Sequence, residues 1–293
     1  MKEFYLTCRG LSFFIRTTGS KEKRALVFLH GITMSGAVWA CTMNYLKDDF
    51  YCIAIDLRGH GRSSKPYPAD YSFDAHVADV HCLMKKLAID NFALVGWSIG
   101  GLISQVYAAT YPYSLRSLAL IDTGPQGNST PDFPWGIPAT SANSLISALQ
   151  AGNYSQFLDL LDTLNFTDKC SNITNIEVQV QYQQLVKTLR EISMQASPQA
   201  ILASFLQNGT RSLLSLLPLI KAPTLIIVGS LDLFYPFQAA RYMREGIPNS
   251  ILVEFDAKGH SAFLTNIGKF NKILWSFLTE ADKKCDICVN IKP

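Results

Sequence analysis

Six short runs of consecutive apolar residues punctuate this chain: ALVFL at 25–29, YCIAI at 51–55, FALV at 92–95, LALI at 118–121, TLIIV at 224–228 and ILVEF at 251–255. A strand covered on both faces has no solvent side to alternate with, so unbroken apolar runs of this length mark the inner strands of a parallel sheet. Between them lie longer stretches with helical spacing. Residues 74–87 place Val77, Val80, Leu83, Met84 and Leu87 on one face, and 99–109, 237–245 and 266–278 read the same way. Such alternation predicts an α/β fold, a mostly parallel central sheet with helices on both faces joined by right-handed crossovers. Two earlier segments, 4–7 and 11–17, separated by a turn at Gly10, predict an antiparallel hairpin at the sheet edge.

The alternation breaks between residues 124 and 210. That stretch opens with the turn-rich GPQGNSTPDFPWGIP and then turns helical around 144–150, 157–164, 176–191 and 199–206, with no strong buried strand. An insertion of this kind predicts a helical cap at 124–210 on a core made of 1–123 and 211–293. The five Asn-x-Ser/Thr sequons, at Asn128, Asn153, Asn165, Asn172 and Asn208, all fall inside it and are expected on its exposed loops.

Charge narrows the class further. The 26 basic and 23 acidic residues are interspersed and leave a net charge of +3, which gives no concentrated basic face for nucleic acid. The amino-terminal residues MKEFYLTCRGLSFFIRTTG lack the apolar stretch of a signal peptide, and nowhere do about 18 apolar residues run together to span a bilayer. A soluble, cytoplasmic protein with no integral membrane segment is expected. The seven cysteines then read as reduced thiols, with Cys285 and Cys288 an inert CxxC in the tail.

Chemistry concentrates where strands end. In Ala93-Leu94-Val95-Gly96-Trp97-Ser98-Ile99-Gly100-Gly101 an apolar strand runs into GxSxG and then a helix. A turn this sharp forces the serine into strained backbone and needs glycines so that strand and helix can approach. It lifts the Ser98 hydroxyl above the sheet and leaves the Ile99 N–H at a helix amino terminus, suited to a developing negative charge. A hydroxyl needs a base within reach. Of the five histidines, His260 follows the last strand run on a loop before a helix. His76 and His81 fall within a helix and are expected on its surface; His60 structures the RGHGRS turn, and His30 shapes the loop His30-Gly31-Ile32-Thr33. The Ile32 N–H on that loop is the candidate second donor to an oxyanion. For the carboxylate that orients the histidine, Asp232, just past 224–228, is preferred from its context and the chain order Ser, Asp, His; Asp122 is the rival and Asp256 a distant third.

HGIT at 30–33, DLRGHGRS at 56–63, GWSIGG at 96–101, VGSLDLFYP at 228–236 and KGHSAF at 258–263 occur in one order along the chain, and together they resemble the α/β-hydrolase superfamily. The resemblance spans nearly everything but the cap. It implies Ser98, Asp232 and His260 as the catalytic triad, and Ile32 and Ile99 as the oxyanion amides. Dehalogenases and epoxide hydrolases of this fold carry Asp at the nucleophile position, where this chain has Ser98. GWSIGGLISQ, followed by a Pro-Trp cap entry, is similar to the pimeloyl carrier-protein methyl ester esterases, which implies that a carrier-protein-bound substrate is possible.

The expected activity is hydrolysis of a small-molecule carboxylic ester through an acyl-enzyme, with no cofactor and no metal. Trp97, Phe133, Trp135, Phe234, Phe237 and Phe263 are candidates for an apolar acyl pocket, with ordinary core packing as the alternative. A thioesterase, a lactonase or a carbon-carbon bond hydrolase would use the same triad. A non-catalytic member that binds a ligand or partner through the cap is the rival from another class.

Overall fold

The computed structural model describes residues 1–165 and 176–289. Eight strands form one sheet: β1 (Lys2–Cys8), β2 (Leu11–Thr18), β3 (Ala25–Leu29), β4 (Tyr51–Ile55), β5 (Phe92–Trp97), β6 (Leu115–Ile121), β7 (Thr224–Gly229) and β8 (Ser250–Phe255). Their spatial order is β1-β2-β4-β3-β5-β6-β7-β8, antiparallel for β1 with β2 and β2 with β4, and parallel from there on. All six apolar runs and the edge hairpin are therefore strands, each within a few residues of its expected limits.

Alternation along the strands explains why the runs are apolar throughout. Val27, Leu29, Ile53, Ile55, Leu94 and Leu120 point into one core, and Leu26, Phe28, Cys52, Ala54, Val95 and Ile121 into the other. Successive side chains of a strand take opposite faces, so a sheet covered on both sides needs apolar residues at every position. The first core is closed by α2 (Phe73–Lys86) and α3 (Ile99–Thr110), whose Val80, Leu83, Ile103 and Val106 are buried. The second is closed by α1 (Ala40–Leu46), which the sequence reading missed, and by α10 (Ile267–Val289), with the stacked rings of Trp39 and Phe263 between them. Each fully buried side chain of this size contributes about 1.5–3 kcal/mol. That burial holds the strand ends, and the loops on them, in fixed relation.

The insertion between β6 and β7 is helical, as expected. It holds α4 (Ala139–Gln150), α5 (Tyr154–Asn165), α6 (Ile176–Ser193) and α7 (Pro198–Asn208), followed by a 3-10 turn at Leu214–Leu219. α4 packs on α5 and α7, and α7 starts on Ser197, whose hydroxyl caps the Ala200 N–H. After β7 come α8 (Phe237–Gly246) and, just before α10, the short α9 (Ala262–Thr265).

Three expectations are corrected. Cys8 on β1 and Cys82 on α2 form a disulfide across 74 residues of sequence, so the thiols are not uniformly reduced; only folding brings the two within 6.0 Å between Cα atoms. Cys285, Cys288 and Asn172 lie outside the residues whose side chains are described. The sequons do not all sit on exposed loops: Asn153 is exposed, Asn128 is half-buried, and Asn165 and Asn208 are buried at the ends of α5 and α7. His76 is not on a helix surface but 1% exposed, because its face of α2 turns toward the loop after β4. Among the described residues no helix is long and apolar enough to cross a membrane.

Candidate active site

β5 ends at Trp97 and α3 begins at Ile99, so Ser98 alone makes the turn. Its backbone sits at φ 56° and ψ −121°, outside the regions an L-residue favours. Residues held this way cost about 1–3 kcal/mol and persist only where their surroundings enforce it. Two glycines make the turn possible. A Cβ on Gly96 would lie 2.3 Å from the Gly100 carbonyl oxygen, and one on Gly100 would lie 2.6 Å from that of Leu29. The Ser98 N–H donates to the Ile121 carbonyl, and the Thr123 hydroxyl donates to the Ser98 carbonyl (2.9 Å), which locks the turn to the end of β6.

His260 arrives on the loop between β8 and α9. Its Nε2 lies 2.9 Å from Ser98 Oγ and its Nδ1 lies 2.9 Å from Asp232 Oδ2. Asp232, on the loop after β7, also receives the Phe234 and Tyr235 amides on Oδ1, at 2.7 and 3.0 Å. With the carboxylate accepting, Nδ1 carries the proton and Nε2 is free to accept from the serine hydroxyl. All three residues are buried, Ser98 at 7%, Asp232 at 4% and His260 at 2% exposure. Asp122, the rival carboxylate, has another arrangement: Oδ1 receives the Gly229 amide and Oδ2 the Ala262 amide, joining the ends of β6, β7 and the His260 loop.

Ile32 and Ile99 flank Ser98 in the wall of one cavity, with about 490 Å³ of empty space, part of it open to solvent. Ile99 is the first residue of α3, where backbone N–H groups have no intrahelical acceptor. The Ile32 loop is fixed from behind by His30. Its Nε2 accepts the Leu57 amide (3.0 Å), so Nδ1 holds the proton and donates to the Gly31 carbonyl (2.8 Å). Burial pushes His30 down to about 4, and neighbouring His60 down to about 3, so both rings are neutral near pH 7.

Of the aromatic residues read as pocket candidates, Phe234 lines this cavity and packs its ring 4.5 Å from His260. The others have different places. Trp97 is in the second core, its Nε1–H donating to the His260 carbonyl (2.9 Å), and Phe263 packs edge-on against it. Phe133 and Trp135 pack on each other and on Tyr242 of α8, and Phe237 lies half-buried against the first core. The sequence reading did not find Phe73, Leu102, Ile137 and Tyr235, or the α7 residues Ser204 and Phe205, in the wall. For Phe73, Leu102, Ser204 and Phe205 only helical spacing hinted that they face inward, and it cannot separate a cavity wall from a core; Ile137 and Tyr235 lie on loops and carry no such signal.

The family described as alpha/beta hydrolase fold matches residues 24–267. A pimeloyl-[acyl-carrier protein] methyl ester esterase of Chromobacterium violaceum is 30% identical over 90% of this chain and 97% of its own length. The AB hydrolase superfamily protein YisY of Bacillus subtilis is 28% identical over 94% and 99%. Among solved structures, an esterase from Exiguobacterium antarcticum superposes with a TM-score of 0.85 at 25% identity, covering 95% of this chain and all of the other. The chain belongs to the alpha/beta hydrolase fold family. Within that family it is an enzyme of the serine-hydrolase, esterase type.

Proposed function

We propose that the enzyme cleaves small to medium carboxylic esters through an acyl-enzyme on Ser98, under the helical cap formed by 124–210. The observation that carries this reading is the continuous relay from Ser98 Oγ through His260 to Asp232, with both links at 2.9 Å. His260 Nε2 takes the hydroxyl proton as Oγ attacks the ester carbonyl, and Asp232 stabilises the imidazolium and holds its tautomer. The Ile32 and Ile99 amides receive the developing oxyanion; one such donor is worth about 10²–10³ in rate. His260 then gives the proton to the leaving alkoxide. Water repeats the cycle on the acyl-enzyme, returning the free acid and Ser98. No cofactor enters these steps.

Support for an ester as the substrate comes from the esterases among the relatives. The activity of the Chromobacterium relative makes a carrier-protein-bound methyl ester one member of the substrate panel. The test is hydrolysis of p-nitrophenyl butyrate with covalent labelling by a fluorophosphonate. The parent should hydrolyse and take one label, and Ser98→Ala should do neither while melting at a similar temperature. Activity retained in Ser98→Ala, or a parent that resists the label, overturns the reading.

A further inference from the structure

β6 lies between the strand that ends at Ser98 and the strand that leads to Asp232, with β8 and the His260 loop one place further on. Trp97 pairs with Ile121, and Ile121 with Ile227, so the two residues that follow β6, Asp122 and Thr123, emerge beside all three loops. Each loop is bonded to this corner. The Ser98 N–H donates to the Ile121 carbonyl (3.0 Å), and the Thr123 hydroxyl donates to the Ser98 carbonyl (2.9 Å). Just ahead of Asp232, the Gly229 N–H donates to Asp122 Oδ1 (2.9 Å). Just past His260, the Ala262 N–H donates to Asp122 Oδ2 (3.2 Å). The Asp122 N–H in turn donates to the Ile227 carbonyl (2.8 Å).

Such a corner is unfavourable to build. Asp122 is fully buried, and its backbone sits at φ 43°, in the left-handed region that non-glycine residues avoid. Burying a carboxylate is heavily penalised unless hydrogen bonds replace its water, and backbone of this kind persists only where its surroundings over-determine it. The choice of residue follows from the two donors. A carboxylate has two accepting oxygens, enough for N–H groups from two loops at once, and its hydrogen bonds are stronger than those of a neutral acceptor. Asparagine, of the same shape, offers one oxygen, and its NH2 would face the second N–H. Other contacts join the loops in pairs: the Trp97 Nε1–H donates to the His260 carbonyl (2.9 Å), and the Leu231 N–H to the Lys258 carbonyl (2.7 Å). The corner after β6 reaches all three.

We propose that Asp122 and Thr123 are positioning residues for the reaction: they fix Ser98, Asp232 and His260 relative to one another before the substrate arrives. Neither lines the cavity beside Ser98, so both act through the loops they hold and not on the substrate. The proposal rests on Ser98 being the nucleophile and His260 its base. A displacement of about 1 Å in such a constellation costs about 10²-fold in rate. Loss of a tether should therefore appear in turnover and not in binding.

Asp122→Asn should lower kcat for p-nitrophenyl butyrate about 10²-fold and leave KM within about threefold, both read well below the variant's own melting temperature. It should also lose the far-downfield proton resonance of the His260 Nδ1–H, the signature of an imidazole held by a carboxylate, although Asp232 is intact. Thr123→Val removes only the hydroxyl tether to Ser98. It should slow fluorophosphonate labelling about tenfold and keep that resonance. If Asp122→Asn does not fold, as judged by circular dichroism, Thr123→Val decides alone. A folded Asp122→Asn that loses less than about tenfold in kcat, or that keeps the resonance unchanged, overturns the proposal. So does a KM that rises in step with the loss of kcat, or a Thr123→Val that labels at the parental rate. In each of these cases a parent that takes the label on Ser98 leaves the hydrolase reading standing. A parent that neither hydrolyses nor labels removes that reading, and this one with it.

Discussion

The strand ends of the sheet and the helical insertion meet at the same cavity but are built in opposite ways. At the strand ends polar groups are tightly engaged: Asp232 with two amides and a histidine, Asp122 with two amides from different loops, Trp97 with the His260 carbonyl, Thr123 with the Ser98 carbonyl. The insertion is seated by a few bonds. The Thr33 hydroxyl lies 3.0 Å from that of Ser193, the Ser197 N–H donates to Gly59, and Asn208 reaches Tyr71 and Phe73. On the function proposed above, the contrast separates two jobs. Reacting groups must be held before the substrate arrives, because reorganisation during reaction raises the barrier. Recognition needs groups left open for the substrate.

The largest effect that tests this contrast lies at Asp232. Asp232→Asn keeps an oxygen for the Phe234 and Tyr235 amides but can present N–H to His260 Nδ1, which favours the wrong tautomer. Ester turnover should fall about 10⁴-fold with the melting temperature little changed. A fall of less than about tenfold would mean that the relay is not what holds the imidazole.

Next comes the Cys8–Cys82 cross-link, which ties the edge hairpin to α2. A loop of 74 residues corresponds to about 4 kcal/mol in the chain-entropy account of disulfides. The Cys8→Ser, Cys82→Ser double variant should lose stability of that order in urea unfolding, with kcat for a short ester unchanged. Equal midpoints for oxidised and reduced parent would show that the hairpin is held without it.

The buried histidines give a pH signature of the rigid side. His30 and His60 are held at about 4 and about 3, below their unfolded value, so the unfolded chain takes up protons first as the solution is acidified. The stability they confer is complete above about pH 6.5 and is lost as pH falls from there toward 4 for His30 and 3 for His60, on the order of 3 kcal/mol for the first and 5 kcal/mol for the second. Urea midpoints measured from pH 7 down to pH 4 should drop steadily. His30→Asn, which keeps a short acceptor beside Leu57 without a group that titrates there, should flatten part of the slope. A parent curve level across that range would remove these rings from the account.

The same division decides what was legible in the sequence. The strands were legible because burial on both faces writes itself as unbroken apolar runs. Ser98 was legible because a strand, a pair of glycines and a helix must be contiguous to make its turn. His260 and Asp232 could be chosen because each follows a strand run, and strand ends share one edge of a parallel sheet. Other features depend on surfaces meeting across the fold. The partner of Cys8 is 74 residues away, the burial of His76 comes from the loop after β4, and α1 is seven residues long with only Thr42, Met43 and Leu46 buried. The cavity wall was the least legible part. Phe133 and Trp135 have the composition of a binding pocket but pack against Tyr242, while Ser204, with no distinguishing mark in sequence, faces the cavity.

Ser197 sets the finest test, because it joins the two regions at one residue. Its hydroxyl caps α7 through the Ala200 N–H, and its own N–H donates to the Gly59 carbonyl on the loop after β4. Ser197→Ala removes the cap and keeps the second bond, which should cost about 1 kcal/mol, localised to the start of α7. If recognition resides in the insertion and reaction at the strand ends, labelling of Ser98 by a small fluorophosphonate should keep its rate. KM for esters long enough to reach α7 should rise severalfold, while that for acetate esters should not. Hydrogen exchange should report the loosening at 198–208 alone. A parallel fall in the labelling rate would mean that the first turn of α7 helps hold the Ser98 side in place, and the two regions would have to be treated as one.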